Sequence, residues 1–415
     1  MTAIELQGQA AKQAARRLST AQTQEKNRAL EAIAQALLDR RGEVLEANRA
    51  DLEAGRAAGL TQALLDRLAL SEQRVESIVE GVRQVAALPD PVGLETRRDT
   101  LDNGLTITRR RVPLGVIGII YEARPNVTVD AAVLCLKAGS AVILRGGKEA
   151  YRSNAALMGI MRDAVESAGL PRDCVALVAD TSRESARELM DLTEYLDVLI
   201  PRGGAGLIRS VTANAKVPVI RTGEGVCHVY VDRDADLDMA CRIICNAKCS
   251  RPSVCNAAEC LLVDRSIADQ FLPMARDALG ARHVELRGCL ETQGILRDAV
   301  VPARDADWDS EYGDYILAVK VVSGVEEAMD FIAAHSTQHS ESIVTENGDT
   351  ARRFLDGVDA AAVYHNASTR FTDGFEFGLG AEIGISTQKM HARGPMGLEE
   401  LTSSKYIVYG NGQIR

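Results

Sequence analysis

The sequence predicts an α/β protein with two doubly wound parallel-sheet domains and a small β arm. From residue 115 onward, short apolar runs alternate with amphipathic stretches of helical spacing, which is typical of parallel strands covered by helices. This alternation pauses at Thr222-Gly-Glu-Gly225 and then resumes, and 415 residues exceed the usual size of one hydrophobic core. Residues 104–112 instead alternate polar and apolar side chains, which favours a hairpin strand that reaches away from the main sheet.

The N-terminal region, up to residue 87, is predicted to be helical. Residues 22–38 and 71–87 carry apolar side chains at helical spacing, with charged residues on the other faces. Leu88-Pro-Asp-Pro-Val-Gly93 then ends the pattern, because proline and glycine disfavour helix interiors.

The strands and helices of the two α/β domains follow in order. In the first domain we predict strands at 116–120, 141–144, 174–178, 198–200 and 218–220, and helices at 127–137, 153–168, 182–191 and 204–214. In the second domain we predict strands at 227–231, 260–263, 315–321, 342–345 and 361–364, and helices at 237–247, 266–279, 325–335 and 349–357. A last strand, 406–409, needs an edge to pair with, and another subunit is one candidate for that edge.

Charge and composition disfavour several classes of function. Lysine and arginine total 48 against 58 aspartate and glutamate residues, and a net charge of −10 disfavours general binding to nucleic acid or anionic membranes. The N-terminus lacks the apolar region of a signal peptide, and no run approaches the ~20 apolar residues of a membrane span. We therefore expect a cytoplasmic protein with neither a nucleic-acid nor a membrane partner.

Nine cysteines are present, and six of them fall between positions 227 and 260. Reduced thiols are expected in a long chain without a signal peptide. Cys241, Cys245 and Cys249 recur at every fourth position and would line one helix face, either as small packed residues or, with His228, as zinc ligands. The short C-x2-C spacing of most zinc sites is absent, so packing is favoured and no metal is expected.

One cysteine has a different setting. The segment Ser250-Arg-Pro-Ser-Val-Cys255-Asn256 lies between a predicted helix and a predicted strand, which places Cys255 on a turn. A thiol on a turn can face a cleft, and a nearby cation with free backbone N–H groups lowers the pKa of such a thiol. The alternative is a small buried apolar residue, as most free cysteines are.

Three further loops lie where predicted strands of the first domain end. Asn126 offers either an amide donor to a ligand or a helix cap. Arg145 and Lys148 flank two glycines, which suits a phosphate, such as the 2′-phosphate of NADP, or a solvated loop. The turn 201–206 is rich in glycine but does not match G-x-G-x-x-G, so it indicates a phosphate site only weakly.

In the second half of the chain, Glu224 lies between two glycines, which suits an acid or base, a cofactor contact or a hinge. Arg370 and Arg393 lie in late polar loops and could pair with a carboxylate or a phosphate.

Five segments carry a resemblance to a known family: 124–128, 144–149, 254–256, 366–380 and 381–388. In this order they resemble the γ-glutamyl phosphate reductase (glutamate-5-semialdehyde dehydrogenase) family of the aldehyde dehydrogenase superfamily, over essentially the whole chain. The resemblance implies an aldehyde-dehydrogenase-like fold. It also implies NADPH-dependent reduction of L-glutamate 5-phosphate to L-glutamate 5-semialdehyde and phosphate, through a cysteine thioester, in proline biosynthesis.

The resemblance also implies a domain organisation. Residues 1–221 would form an NADP-binding domain, with 98–112 as part of an oligomerisation arm. Residues 222–389 would form the catalytic domain, and 390–415 would return to the arm with an oligomerisation strand. A homodimer or homotetramer is implied, and a contact with glutamate 5-kinase is considered.

For the chemistry, the resemblance makes Cys255 the nucleophile and Asn126 the amide of the oxyanion hole. Arg124, Arg370 and Arg393 are the candidates for binding the substrate's phosphate and α-carboxylate.

For the cofactor NADPH/NADP, the resemblance implies that Glu311 contacts the nicotinamide ribose. Either Arg145 or Lys148 would reach the adenosine ribose. The glycines expected to face the pyrophosphate are Gly203, Gly204 and Gly206.

One departure bears on the reaction. Hydrolytic aldehyde dehydrogenases carry a general-base glutamate in a Glu-Leu-Gly-Gly motif, whereas this chain has Thr222-Gly-Glu-Gly225. Water needs a base to attack a thioester, but phosphate is already an anionic nucleophile, so the loss of the motif suits an acyl phosphate. A hydrolytic NAD-dependent aldehyde dehydrogenase remains the alternative, and a thiol or zinc sensor built on the cysteines is a third hypothesis.

Overall fold

The computed structural model describes residues 1–62 and 64–415. The chain forms two compact units. The first comprises Met1–Thr222, Gly378–Gly384 and Met396–Arg415, and the second comprises Gly223–Phe377 and Ile385–Pro395. The chain thus re-enters the first unit at Gly378–Gly384 and again at Met396. In the described part of the chain, no helix combines the length and the apolar character that crossing a bilayer requires.

Helices form the N-terminal part of the first unit, as predicted. The first helix is capped by Thr2, whose hydroxyl accepts from the Glu5 backbone while the Glu5 carboxylate accepts from the Thr2 N–H. The apolar positions of the second helix, such as Leu30, Ile33 and Leu37, are fully buried. The helices are α1 (Ala3–Leu18), α2 (Thr23–Asp39), α3 (Arg41–Ala57), α4 (Gln62–Leu68) and α5 (Glu72–Ala87).

A four-stranded parallel sheet forms the centre of the first unit. Its strands are β3 (Val116–Tyr121), β4 (Ala141–Arg145), β5 (Val175–Leu177) and β6 (Val198–Arg202), in the order β5-β4-β3-β6. The helices between and after them are α6 (Pro125–Lys137), α7 (Tyr151–Ser167), α8 (Arg183–Asp191) and α9 (Ala205–Asn214). The strand predicted at 218–220 was wrong, because this segment makes only a single bridge between Val219 and Leu199.

A separate antiparallel sheet of three strands also belongs to the first unit. It contains β1 (Glu95–Thr100), β2 (Thr106–Pro113) and the C-terminal strand β16 (Thr402–Tyr409), in the order β1-β2-β16. The C-terminal strand therefore finds its edge on β2 of its own chain, with Tyr409 opposite Thr106, and does not need another subunit for it. The side chains of Tyr406, Val408 and Tyr409 are exposed on this sheet.

The second unit is built on a seven-stranded parallel sheet in the order β10-β9-β11-β8-β7-β12-β13. Its strands are β7 (Cys227–Val231), β8 (Ala258–Asp264), β9 (Glu285–Gly288), β10 (Val301–Pro302), β11 (Ile316–Val322), β12 (Ser340–Val344) and β13 (Ala362–His365). Its helices are α10 (Leu237–Cys249), α11 (Ala268–Gly280), α12 (Leu290–Leu296), α13 (Val325–His335) and α14 (Gly348–Gly357). A two-stranded ribbon, β14 (Ile385–Ser386) with β15 (Gly394–Pro395), completes the unit.

Both faces of this sheet are buried, which explains the continuous apolar runs of its central strands. Leu261 and Val263 of β8 pack on one face with residues of α10 and α11, whereas Leu262 packs on the other face with residues of α13 and α14. The strands β9 and β10, at one side of the sheet, were not predicted, because β9 has only four residues, two of them charged, and β10 has only two residues. The predicted fold class, two parallel-sheet α/β domains with a β arm, is confirmed.

Candidate active site

Cys255 lies on the loop between α10 and β8, which we call the nucleophile loop (residues 250–257). Its side chain is half-buried. The Cys227 thiol donates to the carbonyl oxygen of Cys255 at 3.2 Å, and the N–H of Ala257 donates to the carbonyl oxygen of Val254 at 3.0 Å. The backbone around Cys255 is therefore held in a turn while its sulfur is only partly covered, as a reacting thiol requires.

Of the other cysteines of this region, Cys227, Cys249 and Cys260 are buried, and Cys241 and Cys245 are half-buried. Burial raises the pKa of the Cys227 and Cys260 thiols well above the ordinary value. Burial also raises the pKa of Cys241 to about 11, and those of Cys245 and Cys249 in the same direction. Among the described residues, no group of three or more His, Cys, Asp or Glu side chains could hold a metal ion.

A cationic side chain lies near the nucleophile loop. The Arg370 guanidinium interacts electrostatically with the thiols of Cys255 and Cys227. Its Nε donates to the hydroxyl of Ser250 at 3.1 Å, and its Nη1 donates to the side-chain oxygen of Asn256. Burial, followed by the neighbouring Arg251, lowers the pKa of Arg370. A positive charge at this position favours the thiolate form of a nearby cysteine.

Asn256 joins the nucleophile loop to residues 368–372. Its side-chain N–H₂ donates to the carbonyl oxygen of Thr372 at 2.9 Å, and the hydroxyl of Thr369 donates to its carbonyl oxygen at 2.7 Å. The side chain of Asn256 is buried, so each of these bonds replaces a bond to water. Residues 369–372, which belong to a segment noted in the sequence for its family resemblance and for Arg370, thus hold the residue after Cys255 in place.

The predicted residues Glu224, Cys255 and Glu311 lie on the loops that precede β7, β8 and β11, at the amino ends of parallel strands of the second unit. The Val226 N–H before β7 donates to the Thr337 hydroxyl before β12 at 3.0 Å. Sequence reasoning expected sites at the carboxyl ends of strands, where many α/β sheets bind ligands. It considered His228 only as a zinc ligand and did not name Glu341, although these two residues form a fully buried pair at 3.0 Å near this edge.

Glu311 lies on the loop before β11, which we call the Glu311 loop (residues 310–315). Its carboxylate accepts a hydrogen bond from the N–H of Gly225 at 3.2 Å. Glu224 is half-buried beside Gly225. Two residues singled out in the sequence, Glu311 and Gly225, are thus in direct contact within this unit.

In the first unit, the predicted residues lie at the carboxyl ends of β4, β3 and β6, which are neighbours in the sheet. The chain order reverses between β3 and β6, and such a switch point is where doubly wound sheets bind nucleotides and other ligands. Asn126 is exposed in the first turn of α6, after Arg124 at the N-cap and Pro125. The amide of Asn126 donates to the Asp130 carboxylate at 3.1 Å, and burial raises the pKa of Asp130 to about 6.

The glycine turn before α9 already binds an anionic group. The Glu122 carboxylate accepts from the Gly204 N–H at 2.9 Å, and a β-carbon at Gly203 would lie 2.6 Å from the carboxyl carbon of Glu122. Gly206 follows within the first turn of the helix, with open space around it. A carboxylate on these N–H groups shows that the turn accepts negative charge, as a pyrophosphate site must.

The two candidate cations of the first unit differ in their surroundings. The Arg145 Nη2 donates to the carbonyl oxygens of Thr181 and Ser182 at 2.6 and 2.7 Å, and its side chain is partly buried. Lys148, in the short 3₁₀ turn after β4, is exposed. A dinucleotide phosphate therefore fits the exposed lysine better than the partly buried arginine, whose Nη2 is already bound to backbone carbonyls.

Arg393 lies apart from these contacts, in the segment just before β15. Its Nη2 donates to the Asp359 carboxylate at 2.6 Å, and Lys389 pairs with the same carboxylate at 2.6 Å. Arg393 is therefore already paired with a carboxylate of its own unit, which weakens the prediction that it binds substrate.

A sequence profile of the aldehyde dehydrogenase family matches residues 2–286. The chain belongs to the aldehyde dehydrogenase family, and within it to the gamma-glutamyl phosphate reductases. The gamma-glutamyl phosphate reductases of Halothermothrix orenii and Heliobacterium modesticaldum are each 58% identical over 412 residues, which cover 99% of this chain and 98% and 99% of those proteins. The chain is thus an oxidoreductase of a family that uses a nicotinamide dinucleotide.

Solved structures agree with this membership. The crystal structure of gamma-glutamyl phosphate reductase from Thermotoga maritima matches with a TM-score of 0.97 at 49% identity, covering 99% of both chains. An acetylating aldehyde dehydrogenase from Geobacillus thermoglucosidasius, 17% identical, matches with a TM-score of 0.70 over all of both chains, which extends the shared fold across the wider family.

Proposed function

We propose that this chain catalyses the NADPH-dependent reduction of L-glutamate 5-phosphate to L-glutamate 5-semialdehyde and phosphate, in proline biosynthesis. The observation that carries the proposal is the setting of Cys255, a partly exposed thiol on a fixed turn beside the Arg370 guanidinium. Full-length relatives at 58% identity with this activity in their names support it.

In the proposed reaction, the Cys255 thiolate attacks the γ-acyl carbon of the substrate. The C–O bond to phosphate breaks, phosphate leaves with the electron pair, and a thioester remains on Cys255. The amide of Asn126 and backbone N–H groups donate to the oxyanion, and such a donor contributes roughly 3 kcal/mol. After reduction of the thioester carbonyl, the thiohemiacetal collapses, which releases the aldehyde and regenerates the thiolate.

When bound, NADPH supplies the hydride for that reduction. The chain would hold the pyrophosphate at Gly203 and Gly204, where Glu122 now lies, and the nicotinamide ribose at Glu311. We assign the 2′-phosphate to Lys148, because its ammonium group is exposed and compact while Arg145 is bound to backbone carbonyls.

The substrate carries two anionic groups, for which Arg124, Arg370 and Arg393 are the candidates. Arg370 is favoured, because its guanidinium interacts electrostatically with the Cys255 thiol. Arg393 would have to leave Asp359 in order to bind substrate. Homodimer or homotetramer formation through the β arm, a cytoplasmic location and a contact with glutamate 5-kinase remain predictions.

A phosphate-dependence assay tests the proposal in the oxidative direction. With L-glutamate 5-semialdehyde and NADP, we expect cofactor reduction only when phosphate or arsenate is present. Cys255→Ala should abolish this turnover and retain NADPH binding, whereas Cys241→Ala, a change on the packed face of α10, should retain both. Full activity without phosphate would instead indicate the hydrolytic reaction, and near-normal turnover by Cys255→Ala would reject the nucleophile.

A further inference from the structure

A buried ion pair closes the base of the nucleophile loop. Lys248 lies in the last turn of α10 and Glu259 is the second residue of β8, so the two residues flank the loop that carries Cys255. The Lys248 Nζ lies 2.5 Å from the Glu259 Oε2, and their side chains are 0% and 1% exposed. The pair therefore fixes both ends of the loop without contact with solvent.

The same pair reaches the Glu311 loop. The second carboxylate oxygen of Glu259 accepts from the Gly313 N–H at 3.3 Å, and the Lys248 ammonium lies 5.8 Å from the centre of the Tyr312 ring. Tyr312 is fixed in turn, because its hydroxyl donates to the Asp307 carboxylate at 3.0 Å. The two residues that follow Glu311 are thus both anchored to the interior of the unit.

These contacts close a ring. Glu311 accepts from the Gly225 N–H at 3.2 Å. Gly225 in turn packs against the backbone of Cys255, since a β-carbon at position 225 would lie 1.3 Å from the Cys255 carbonyl oxygen. The nucleophile loop connects Cys255 to Lys248 on its amino-terminal side and to Glu259 on its carboxyl-terminal side. The nucleophile and Glu311 are therefore connected along two routes, of which one depends on the buried pair.

We propose that Lys248 and Glu259 are positioning residues, which set the Glu311 loop in register with the nucleophile loop. This inference rests on the proposed function, in which Cys255 attacks the substrate and Glu311 contacts the cofactor. It adds two residues that touch neither substrate nor cofactor and that act through the Gly313 N–H and through the ends of the nucleophile loop.

Stability alone is a poor explanation for this pair. Transfer of two charges out of water is costly, and apolar side chains of similar volume are often equally or more stabilising at such sites. In agreement with this cost, burial is the largest influence on both groups, raising the pKa of Glu259 to about 7 and lowering that of Lys248. The hydrogen bond from the Gly313 N–H, by contrast, requires an acceptor at position 259, which an apolar side chain cannot provide. This contact explains the presence of the pair better than stability does.

Two double variants test the proposal. Lys248→Met/Glu259→Leu replaces the pair by apolar side chains and removes the acceptor for Gly313. Lys248→Met/Glu259→Gln, its matched control, removes the charges and keeps a side-chain oxygen. Three measurements follow for each protein: the melting temperature, the rate of Cys255 alkylation by iodoacetamide without cofactor, localised by tandem mass spectrometry, and the Kd for NADPH.

We expect the leucine variant to fold, to weaken NADPH binding by about tenfold and to change the Cys255 alkylation rate by a similar factor. The glutamine variant should stay within about threefold of the wild type in both measurements. Equal values for the two variants at equal melting temperatures would overturn the positioning role. Neither the alkylation rate nor the Kd for NADPH requires turnover. Failure of the positioning role is therefore distinguishable from failure of the proposed function, which would be seen as activity in Cys255→Ala.

A second pair of variants decides the matter if the apolar replacement does not fold. Glu259→Asp keeps the charge opposite Lys248 but is one methylene too short to reach both Lys248 and the Gly313 N–H. Glu259→Gln keeps the reach. We expect NADPH binding to weaken about tenfold in the aspartate variant and by less than about threefold in the glutamine variant. The reverse order, or equal Kd values, would reject the proposal.

Discussion

The carbonyl oxygen of Cys255 lies against Gly225 so closely that no side chain can stand at position 225. An ideal β-carbon there would be 1.3 Å from that oxygen and 2.3 Å from its carbonyl carbon. The same oxygen accepts from the Cys227 thiol at 3.2 Å. Gly225 before β7 and Cys227 at the start of β7 therefore fix the backbone of Cys255 from two sides, and glycine at 225 is required by contact rather than by backbone conformation.

We expect Gly225→Ala to lower kcat by about a hundredfold, because an added methyl group must displace the Cys255 backbone, and displacements of about 1 Å cost this much in an active site. Gly280→Ala in the last turn of α11 is the matched control, since nothing lies within 4 Å of the added carbon. Steady-state kinetics on both variants is the measurement. Near-normal turnover in Gly225→Ala would show that the loop can move without loss.

Arg370→Ala should slow alkylation of Cys255 near neutral pH by about tenfold, because it removes the cation that interacts with this thiol. It should also lower the free energy of unfolding by about 1–3 kcal/mol, since the buried Asn256 side-chain oxygen loses its Arg370 donor. Arg352→Ala, on the exposed face of α14, should change neither quantity. An unchanged alkylation rate in Arg370→Ala would remove this arginine from the site.

Lys148→Ala should raise the Kd for NADPH by about tenfold or more and leave the Kd for NADH nearly unchanged, because only NADPH carries the 2′-phosphate. Arg145→Ala should mainly lower the melting temperature, since its side chain bonds the carbonyl oxygens of Thr181 and Ser182. Lys216→Ala, a surface lysine paired with Asp191, is the control. Fluorescence titration with NADPH and with NADH measures both Kd values. An equal loss of affinity for the two dinucleotides in Lys148→Ala would contradict the assignment of the 2′-phosphate to Lys148.

Asp130 should make the stability of the protein depend on pH. Its folded pKa of about 6 lies above its ordinary value of 3.8, so the folded state binds the proton more tightly than the unfolded state. The resulting stabilisation is present at low pH and is lost as the pH rises from about 4 to about 6. The melting temperature of Asp130→Asn, relative to wild type, should therefore rise across that interval and stay level above it.

Asp356→Asn on the exposed face of α14 is the matched control for this titration, measured by calorimetry at the same pH values. A difference between Asp130→Asn and wild type that is constant from pH 4 to pH 8 would contradict the raised pKa. The hydrogen bond from the Asn126 amide to the Asp130 carboxylate is tested separately by a double-mutant cycle. Replacement of Asp130 should reduce kcat in the presence of Asn126 and should have no further effect in a protein that already lacks Asn126.

The local patterns of the sequence determined the elements and the leading chemical candidate. Continuous apolar runs such as 116–120 and 260–263 became buried parallel strands, because side chains on both faces of a covered sheet must be apolar. Cys255 stood out because it lies on a turn between a helix and a strand, which is a local property. The short strands at 285–288 and 301–302 carried no such signal, because the first contains two charged residues and the second has only two residues.

The tertiary structure decided which distant residues meet. Asn256 and Arg370, or His228 and Glu341, are more than a hundred residues apart, and their contacts depend on which strands become neighbours in the sheet. Apolar periodicity predicts that a strand is buried. It does not predict which strand lies next to it, because every parallel strand buries similar side chains. The buried Lys248–Glu259 pair behind Cys255, and its hydrogen bond to the Gly313 N–H, therefore followed only from the folded chain.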